Sequence, residues 1–185
     1  MPFELREHTA DIAVEARGES LERTVAAVAD GLAAASCDED EIPADAGERF
    51  DLSVVAESRE ALLFEYLDEL IYLRDVRLEL PVENRVRIQL EHSDAGDAAN
   101  ADAADATSTP DTDDATDAAD AVGTAGTDET DDRWSLEGSA RGVPLTEIDA
   151  REIKAVTYSE MRLEAVDGDP DSGTTAWEAY VVFDV

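Results

Sequence analysis

One stretch of the chain, residues 92–132, constrains the fold more than any other feature because it cannot contribute to a core. It contains 13 acidic residues and no Lys, Arg or aromatic residue, and Val122 is its only branched aliphatic side chain. Such a segment buries too little apolar surface to offset the entropy lost on ordering. Its Asp residues lack the D-x-D-x-D-G spacing with a closing Glu that would indicate a calcium loop. The sequence therefore predicts a single domain over residues 1–185, interrupted by a disordered acidic insert at about 92–132.

The whole chain is strongly acidic, with 47 Asp and Glu against 14 Lys and Arg and a formal net charge of −33. This charge opposes direct nucleic-acid binding, which draws its affinity from clustered basic side chains. Thirteen of the basic residues are Arg, and Lys154 is the only lysine. Acid excess with few lysines resembles proteins of salt-loving archaea, where about 1 M salt shortens the Debye length to roughly 3 Å. Much of the acidity is therefore interpreted as an adaptation to the solvent.

The regions on either side of the insert show the periodicities of both strands and helices. Alternating apolar and polar residues predict strands at 3–6, 12–17, 49–57, 85–90, 134–140, 153–166 and 175–185. Ser20 and Ser58 can cap helices over about 21–36 and 59–74, each with an apolar face. Two helices among six or more strands predict an α+β domain in which both helices pack on one mixed sheet.

Several enzyme classes are disfavoured because their motifs are missing. The sequence has no glycine-rich phosphate loop, no G-x-S-x-G elbow and no His pair at metal-ligand spacing. Cys37 is the only cysteine, which excludes an intramolecular disulfide and a multi-cysteine zinc site, and its acidic neighbours disfavour the thiolate. No catalytic residue is therefore assigned. A signal peptide and an apolar run long enough for a membrane are also missing, so we expect a cytoplasmic protein without a membrane partner.

Three short segments remain as candidates for function. His8 and Asp11 lie between two predicted strands, where polar side chains could equally serve only to satisfy the amides of a turn. Lys154 begins a predicted strand, and one lysine among many arginines indicates either chance or a need for a compact charge. Asp184 and Val185 end the last predicted strand and bring a carboxylate side chain beside an α-carboxylate.

In this order, the segments resemble the archease family. The resemblance rests on HTADI at residues 8–12, LFEYLDELIY at 63–72, KAVTY at 154–158, and the ending from Trp177 through FDV at 183–185. It covers essentially the whole chain outside the insert. The resemblance implies a small α+β protein that activates an RtcB-type RNA-splicing ligase. In this family the activator promotes guanylylation and multiple turnover of the ligase in tRNA splicing.

The resemblance also implies a metal site formed by Asp11, Asp184 and Val185. Carboxylate and carbonyl oxygens are the ligands that Ca²⁺ prefers, whereas zinc favours His and Cys. Calcium is therefore the expected ion, and other divalent ions are alternatives. One departure from the family pattern is Ser159, which stands where relatives usually have a histidine after the KAVTY segment.

The resulting hypothesis is a non-enzymatic activator that contacts the ligase and not the tRNA. His8 and Lys154 are further candidates for a functional role beside the metal ligands. One alternative is a metal-dependent phosphoester hydrolase that uses Asp11 and Asp184 around the ion. A general chaperone is another alternative, although the sequence shows no exposed apolar signature for it.

Overall fold

The computed structural model describes residues 3–8, 11–91, 133–167 and 175–185, with the backbone alone at residues 3 and 5–8. The predicted disordered insert lies outside these residues. Short 3₁₀ turns occur at Glu39–Glu41 and Leu145–Glu147. The described ranges hold seven strands and two α-helices, which are in chain order β1 (Phe3–His8), β2 (Asp11–Gly18), α1 (Leu21–Ser36), β3 (Glu48–Ala56), α2 (Arg59–Arg77), β4 (Glu79–Glu91), β5 (Arg133–Pro144), β6 (Ala155–Asp167) and β7 (Thr175–Asp184).

The strands form two antiparallel sheets. The larger sheet has the strand order β1-β2-β7-β6, and the smaller sheet has the order β3-β5-β4. The predicted α+β class with two helices is confirmed, but the strands divide between two antiparallel sheets instead of one mixed sheet. The physical reason is the connectivity, since β1–β2, β4–β5 and β6–β7 are neighbours in the chain that pair directly. Direct pairing of consecutive strands gives antiparallel ladders, whereas parallel pairs need a crossover.

Both helices begin at the serine caps that the sequence predicts. The Ser20 and Ser58 hydroxyl oxygens each accept a hydrogen bond from the backbone N–H three residues ahead, at 3.3 and 3.1 Å. Each cap satisfies a backbone donor at the start of a helix and stabilises it by about 1 kcal/mol. Helix α2 continues beyond its predicted end at residue 74 and stops before Leu78, whose backbone is left-handed with a φ of 56°.

Each helix contacts strands of both sheets. Gly31 of α1 lies so close to Val14 of β2 that a Cβ at residue 31 would overlap the valine side chain. Neither helix of the described part of the chain is long and apolar enough to span a membrane. The largest fully buried side chains of the core are Tyr66, Phe183, Leu32, Leu62, Leu63, Leu67, Leu70, Leu80, Leu136 and Ile153.

A buried polar network joins α1, α2 and β4. Asn84 donates from its backbone N–H and from its side-chain Nδ2 to one carboxylate oxygen of Asp30, each at 2.9 Å. The Tyr66 hydroxyl donates to Asn84 Oδ1 at 3.1 Å. The network lies beside a bulge in β4, where Glu83 has a left-handed φ of 53°. Tyr66 and Asn84 are buried and Asp30 is partly buried, so these hydrogen bonds supply the partners that buried polar groups require.

Arg59, the first residue of α2, connects the two sheets through both tryptophans of the chain. Its guanidinium carbon lies 4.7 Å from the ring centroid of Trp134 in β5 and 5.1 Å from that of Trp177 in β7. Both distances allow cation–π attraction. The two rings are partly buried and pack against the main core. The start of α2 therefore holds one strand of each sheet.

Candidate functional site

Asp11 and Asp184 face each other at one end of the larger sheet. They are direct partners in the antiparallel pair of β2 with β7. Ile12 and Phe183, the next residues inward, pack in the core, so the alternation of a strand directs both Asp side chains to the outer face. Asp184 is exposed and Asp11 is partly buried. Like charges directly opposite each other destabilise a strand pair, so a cation close to both carboxylates would reduce that repulsion.

Lys154 lies immediately before β6 and contacts both residues at the end of β7. Its backbone N–H donates to the Asp184 carbonyl at 2.8 Å. Its ammonium Nζ donates to a backbone oxygen of Val185 at 3.0 Å. Strand β6 begins one residue later with Ala155, which pairs with Asp184. The only lysine of the chain thus brings its positive charge to one of the predicted metal ligands.

The side chains at this end of the sheet offer oxygen ligands for a metal ion. Within the described residues, no cluster of three or more His, Cys, Asp and Glu side chains could hold a metal. An ion at this end of the sheet would therefore depend on the carboxylates of Asp11 and Asp184, with the oxygen of Val185 and water completing the coordination. Ca²⁺ takes six to eight oxygen ligands and accepts water among them, so this donor chemistry fits calcium better than zinc.

The other residues singled out from the sequence differ in their surroundings. His8 is the strand partner of Asp11, but its side chain is outside the described part of the structure. Ser159 is exposed on β6, inside the interruption of pairing between residues 157 and 162. Cys37 is buried at the end of α1, where burial and then the charges of neighbouring acids raise the pKa of its thiol. A protonated, buried thiol is a poor nucleophile.

The sequence pattern alone does not predict two features of this end of the sheet. The first is the contact between Lys154 and Val185. These residues lie in separate segments of the sequence, and they meet because β6 and β7 pair as a hairpin. Adjacency of the two strands in the chain is a usable signal for that pairing, since consecutive strands usually neighbour each other. Arg74 of α2 is buried and hydrogen-bonds to the segment before Lys154. Its charge in a helical pattern gives no sign of that burial.

The chain is similar to proteins of one family along its length. The model of the Archease protein family matches residues 3–185. An archease of Pyrococcus furiosus is 26% identical over 186 aligned positions, which cover 99% of this chain and 98% of the relative. An archease of Thermococcus gammatolerans is 37% identical over 94 residues, 51% of this chain and 63% of the relative. The solution structure of protein 1598 of Methanobacterium thermoautotrophicum has the same fold, with a TM-score of 0.60 at 22% identity, covering 100% of this chain and 99% of that one.

Proposed function

Because the chain belongs to the archease family, we propose that it activates an RtcB-type RNA-splicing ligase. The proposed activity is promotion of ligase guanylylation and of multiple turnover in tRNA splicing. The family match supports this proposal because it extends over residues 3–185 and so includes every segment that contributes to the candidate site. The protein would then act as a protein cofactor of the ligase and not as an enzyme.

The proposed functional site lies at one end of the larger sheet and is formed by Asp11, Asp184, Lys154 and Val185. The single observation that carries this assignment is the direct pairing of Asp11 with Asp184 across β2 and β7. The two carboxylates would hold Ca²⁺ or another divalent ion that prefers oxygen ligands. When bound, such an ion supplies electrophilic charge. Lys154 would hold the end of β7 through the hydrogen bonds that its ammonium donates to the oxygen of Val185 and its backbone N–H donates to the Asp184 carbonyl.

The proposed partner surface belongs to the ligase and not to the RNA. A net charge of −33 repels phosphate groups at low salt, and at high salt, where this repulsion is screened, 14 Lys and Arg still offer few cations for phosphate to bind. Contact with a protein surface avoids that repulsion when basic or apolar groups face the acidic chain. The activator would therefore reach the nucleotide chemistry only through the ligase.

The test is a guanylylation assay of an RtcB-type ligase, with and without this protein, in buffer of high KCl concentration. We expect the rate of guanylylation and the number of ligation turnovers to rise when the protein and Ca²⁺ are both present. The protein alone, incubated with nucleotides and phosphoesters, should hydrolyse neither. Hydrolysis without ligase that requires Asp11 and Asp184 would instead support a metal-dependent phosphoesterase and contradict the activator role.

We also propose that the fold is adapted to molar salt, on the basis of its acid excess and its single lysine. The Debye length falls from about 10 Å at 0.1 M salt to about 3 Å at 1 M, so repulsion among the acids should weaken over this range. We expect Tm to rise by about 10 °C, which corresponds to roughly 3 kcal/mol for a domain of this size. Thermal melts in KCl measure this rise, with sucrose of equal osmolality as a non-ionic control. A flat Tm in KCl, or an equal rise in sucrose, would remove the electrostatic explanation.

A further inference from the structure

Arg151 is anchored to both helices although it belongs to no regular element. Its backbone N–H donates to the Ser36 carbonyl at the end of α1, at 2.7 Å. Its own carbonyl accepts a hydrogen bond from the Arg74 guanidinium of α2, through Nη2 at 2.9 Å. Residues 151–154 have no helical or strand hydrogen-bond pattern of their own. Their position therefore depends on these two anchors and on the burial of Ile153.

The same short segment delivers Lys154 to the candidate site. Ile153 is fully buried and packs in the main core. One residue later, the Lys154 N–H donates to the Asp184 carbonyl and its Nζ donates to Val185. Only three peptide bonds separate Lys154 from Arg151, so a displacement of Arg151 would shift the backbone from which the Lys154 side chain extends.

Arg74 is an unusual residue to bury at the anchoring position. Its side chain is 5% exposed, and Nη1 pairs with the largely exposed Asp75 at 2.8 Å. Its buried Nε has no hydrogen-bond partner among the described residues. A buried guanidinium with an unsatisfied donor costs stability, and an apolar side chain of similar size would avoid that cost. Besides the ion pair with Asp75 at the surface, what the arginine adds and an apolar side chain cannot is the hydrogen bond to the Arg151 carbonyl.

We infer that Arg74 is a positioning residue that holds Lys154 in place against Asp184 and Val185. The guanidinium fixes the Arg151 carbonyl, and the buried Ile153 passes that constraint to the next residue. Among the described residues, the hydrogen-bond partners of Arg74 are Asp75 and Arg151, neither of which is a proposed metal ligand, so Arg74 would act through this segment. The consequence for ligase activation rests on the proposed function, whereas the positioning of Lys154 does not.

The test uses the fact that Lys154 is the only lysine. Protein labelled with ¹⁵N-lysine gives a single backbone amide signal, and its hydrogen-exchange rate reports on the bond from Lys154 to Asp184. We expect Arg74→Met to raise this rate about tenfold, the factor that corresponds to losing one hydrogen bond made by a charged group. The Leu67 amide, in the buried part of α2 and observed with ¹⁵N-leucine, should exchange at the wild-type rate.

Arg77→Met is the matched control, because Arg77 lies in the same turn of α2 but contacts Glu79 and Phe50. It should leave the Lys154 exchange rate unchanged. Arg74→Gln adds no second lysine, keeps a hydrogen-bond donor on the side chain and should restore part of the protection, which also covers the case in which Arg74→Met fails to fold. An unchanged Lys154 rate in folded Arg74→Met, an unchanged rate in Arg74→Gln where Arg74→Met does not fold, or an equal acceleration at Leu67, would overturn the inference.

A second measurement separates the inference from the proposed function. Guanylylation of the ligase is compared for Arg74→Met and for Lys154→Gln, which removes the ammonium itself. Loss of activation in both variants supports the inference and the site together. Loss in Lys154→Gln alone, with Arg74→Met fully active, would overturn the inference about Arg74. Full activity in both, with faster exchange at Lys154, would leave the positioning intact and contradict the proposed functional site.

Discussion

Alanine at Asp11 or at Asp184 should lower Ca²⁺ affinity and ligase guanylylation by at least about tenfold each. Mutation of a group that only orients a metal ligand lowers metal affinity or activity by about tenfold or more. These two carboxylates are the proposed ligands themselves. Because they pair directly across β2 and β7, removal of either one leaves only one carboxylate of the pair. Titration calorimetry with Ca²⁺ and the guanylylation assay measure the two effects separately.

The same site predicts a change of stability with a characteristic sign. Without Ca²⁺, Asp184→Asn should keep or raise Tm, because it removes the repulsion between opposed like charges. With Ca²⁺, the wild type should gain stability by mass action and the variant should not. Asp51→Asn is the matched control, since Asp51 is an exposed strand carboxylate on β3 of the other sheet. If Asp11→Ala and Asp184→Ala activate the ligase as strongly as the wild type does, this end of the sheet is not the functional site.

Asp30→Ala should lower the free energy of unfolding by about 3 kcal/mol, one of the largest effects expected for a single side chain here. The carboxylate accepts both hydrogen bonds that the backbone and the side chain of Asn84 donate. Each buried donor left without an acceptor costs about 1–3 kcal/mol. Urea denaturation in molar KCl measures the loss. A loss below about 1 kcal/mol would mean that water replaces the carboxylate and that the network contributes little.

Asp30→Asn should have the opposite effect at neutral pH. Burial raises the pKa of Asp30 above its ordinary 3.8, the hydrogen bonds from Asn84 lower it, and the charge of Glu83 raises it further. Because the folded state binds this proton more tightly than the unfolded state, stability falls as pH rises from 3.8 through the raised pKa, and the cost persists above it. Asparagine keeps the accepting oxygen without the charge, so the variant should be more stable at pH 7 and lack this slope.

Glu83 makes stability change with pH in the opposite direction, and it does so in both the wild type and Asp30→Asn. Its pKa is lowered mainly by the hydrogen bond from Arg141, so its contribution is present above the ordinary 4.5 and is lost as pH falls through the lowered pKa. The difference between the stability curves of the wild type and Asp30→Asn therefore isolates Asp30. Equal pH dependence in the two proteins would contradict the assignment of the raised pKa to this carboxyl.

Local signals in the sequence predict the elements well, because the forces that form them are local. Ser20 and Ser58 satisfy amides within three residues of themselves, and the apolar faces of both helices follow from the helical period. The division into two sheets is not local, since β2 pairs with β7 about 170 positions away. The extension of β4 is also missed, because it passes through the left-handed Glu83, which no strand pattern predicts.

The candidate site could be predicted only in part, and for a different reason. A strand ending in Asp184 is visible in the sequence, but its pairing with Asp11 depends on the resemblance to archease and not on any periodicity. The contact between Lys154 and Val185 requires the register of the last hairpin. Burial of Arg74 requires the packing of three separate segments. Each of these is a tertiary consequence that residue type does not encode by itself.

The junction at Arg59 has an optical consequence. Both indole rings of the chain lie against the same guanidinium, one on each sheet. Their ultraviolet emission therefore arises from a single location, and a widening of the gap between the sheets would change the surroundings of both fluorophores at once. We therefore expect indole fluorescence to respond to a separation of the two sheets without any attached dye, whereas ellipticity in the far ultraviolet follows the helices and strands themselves.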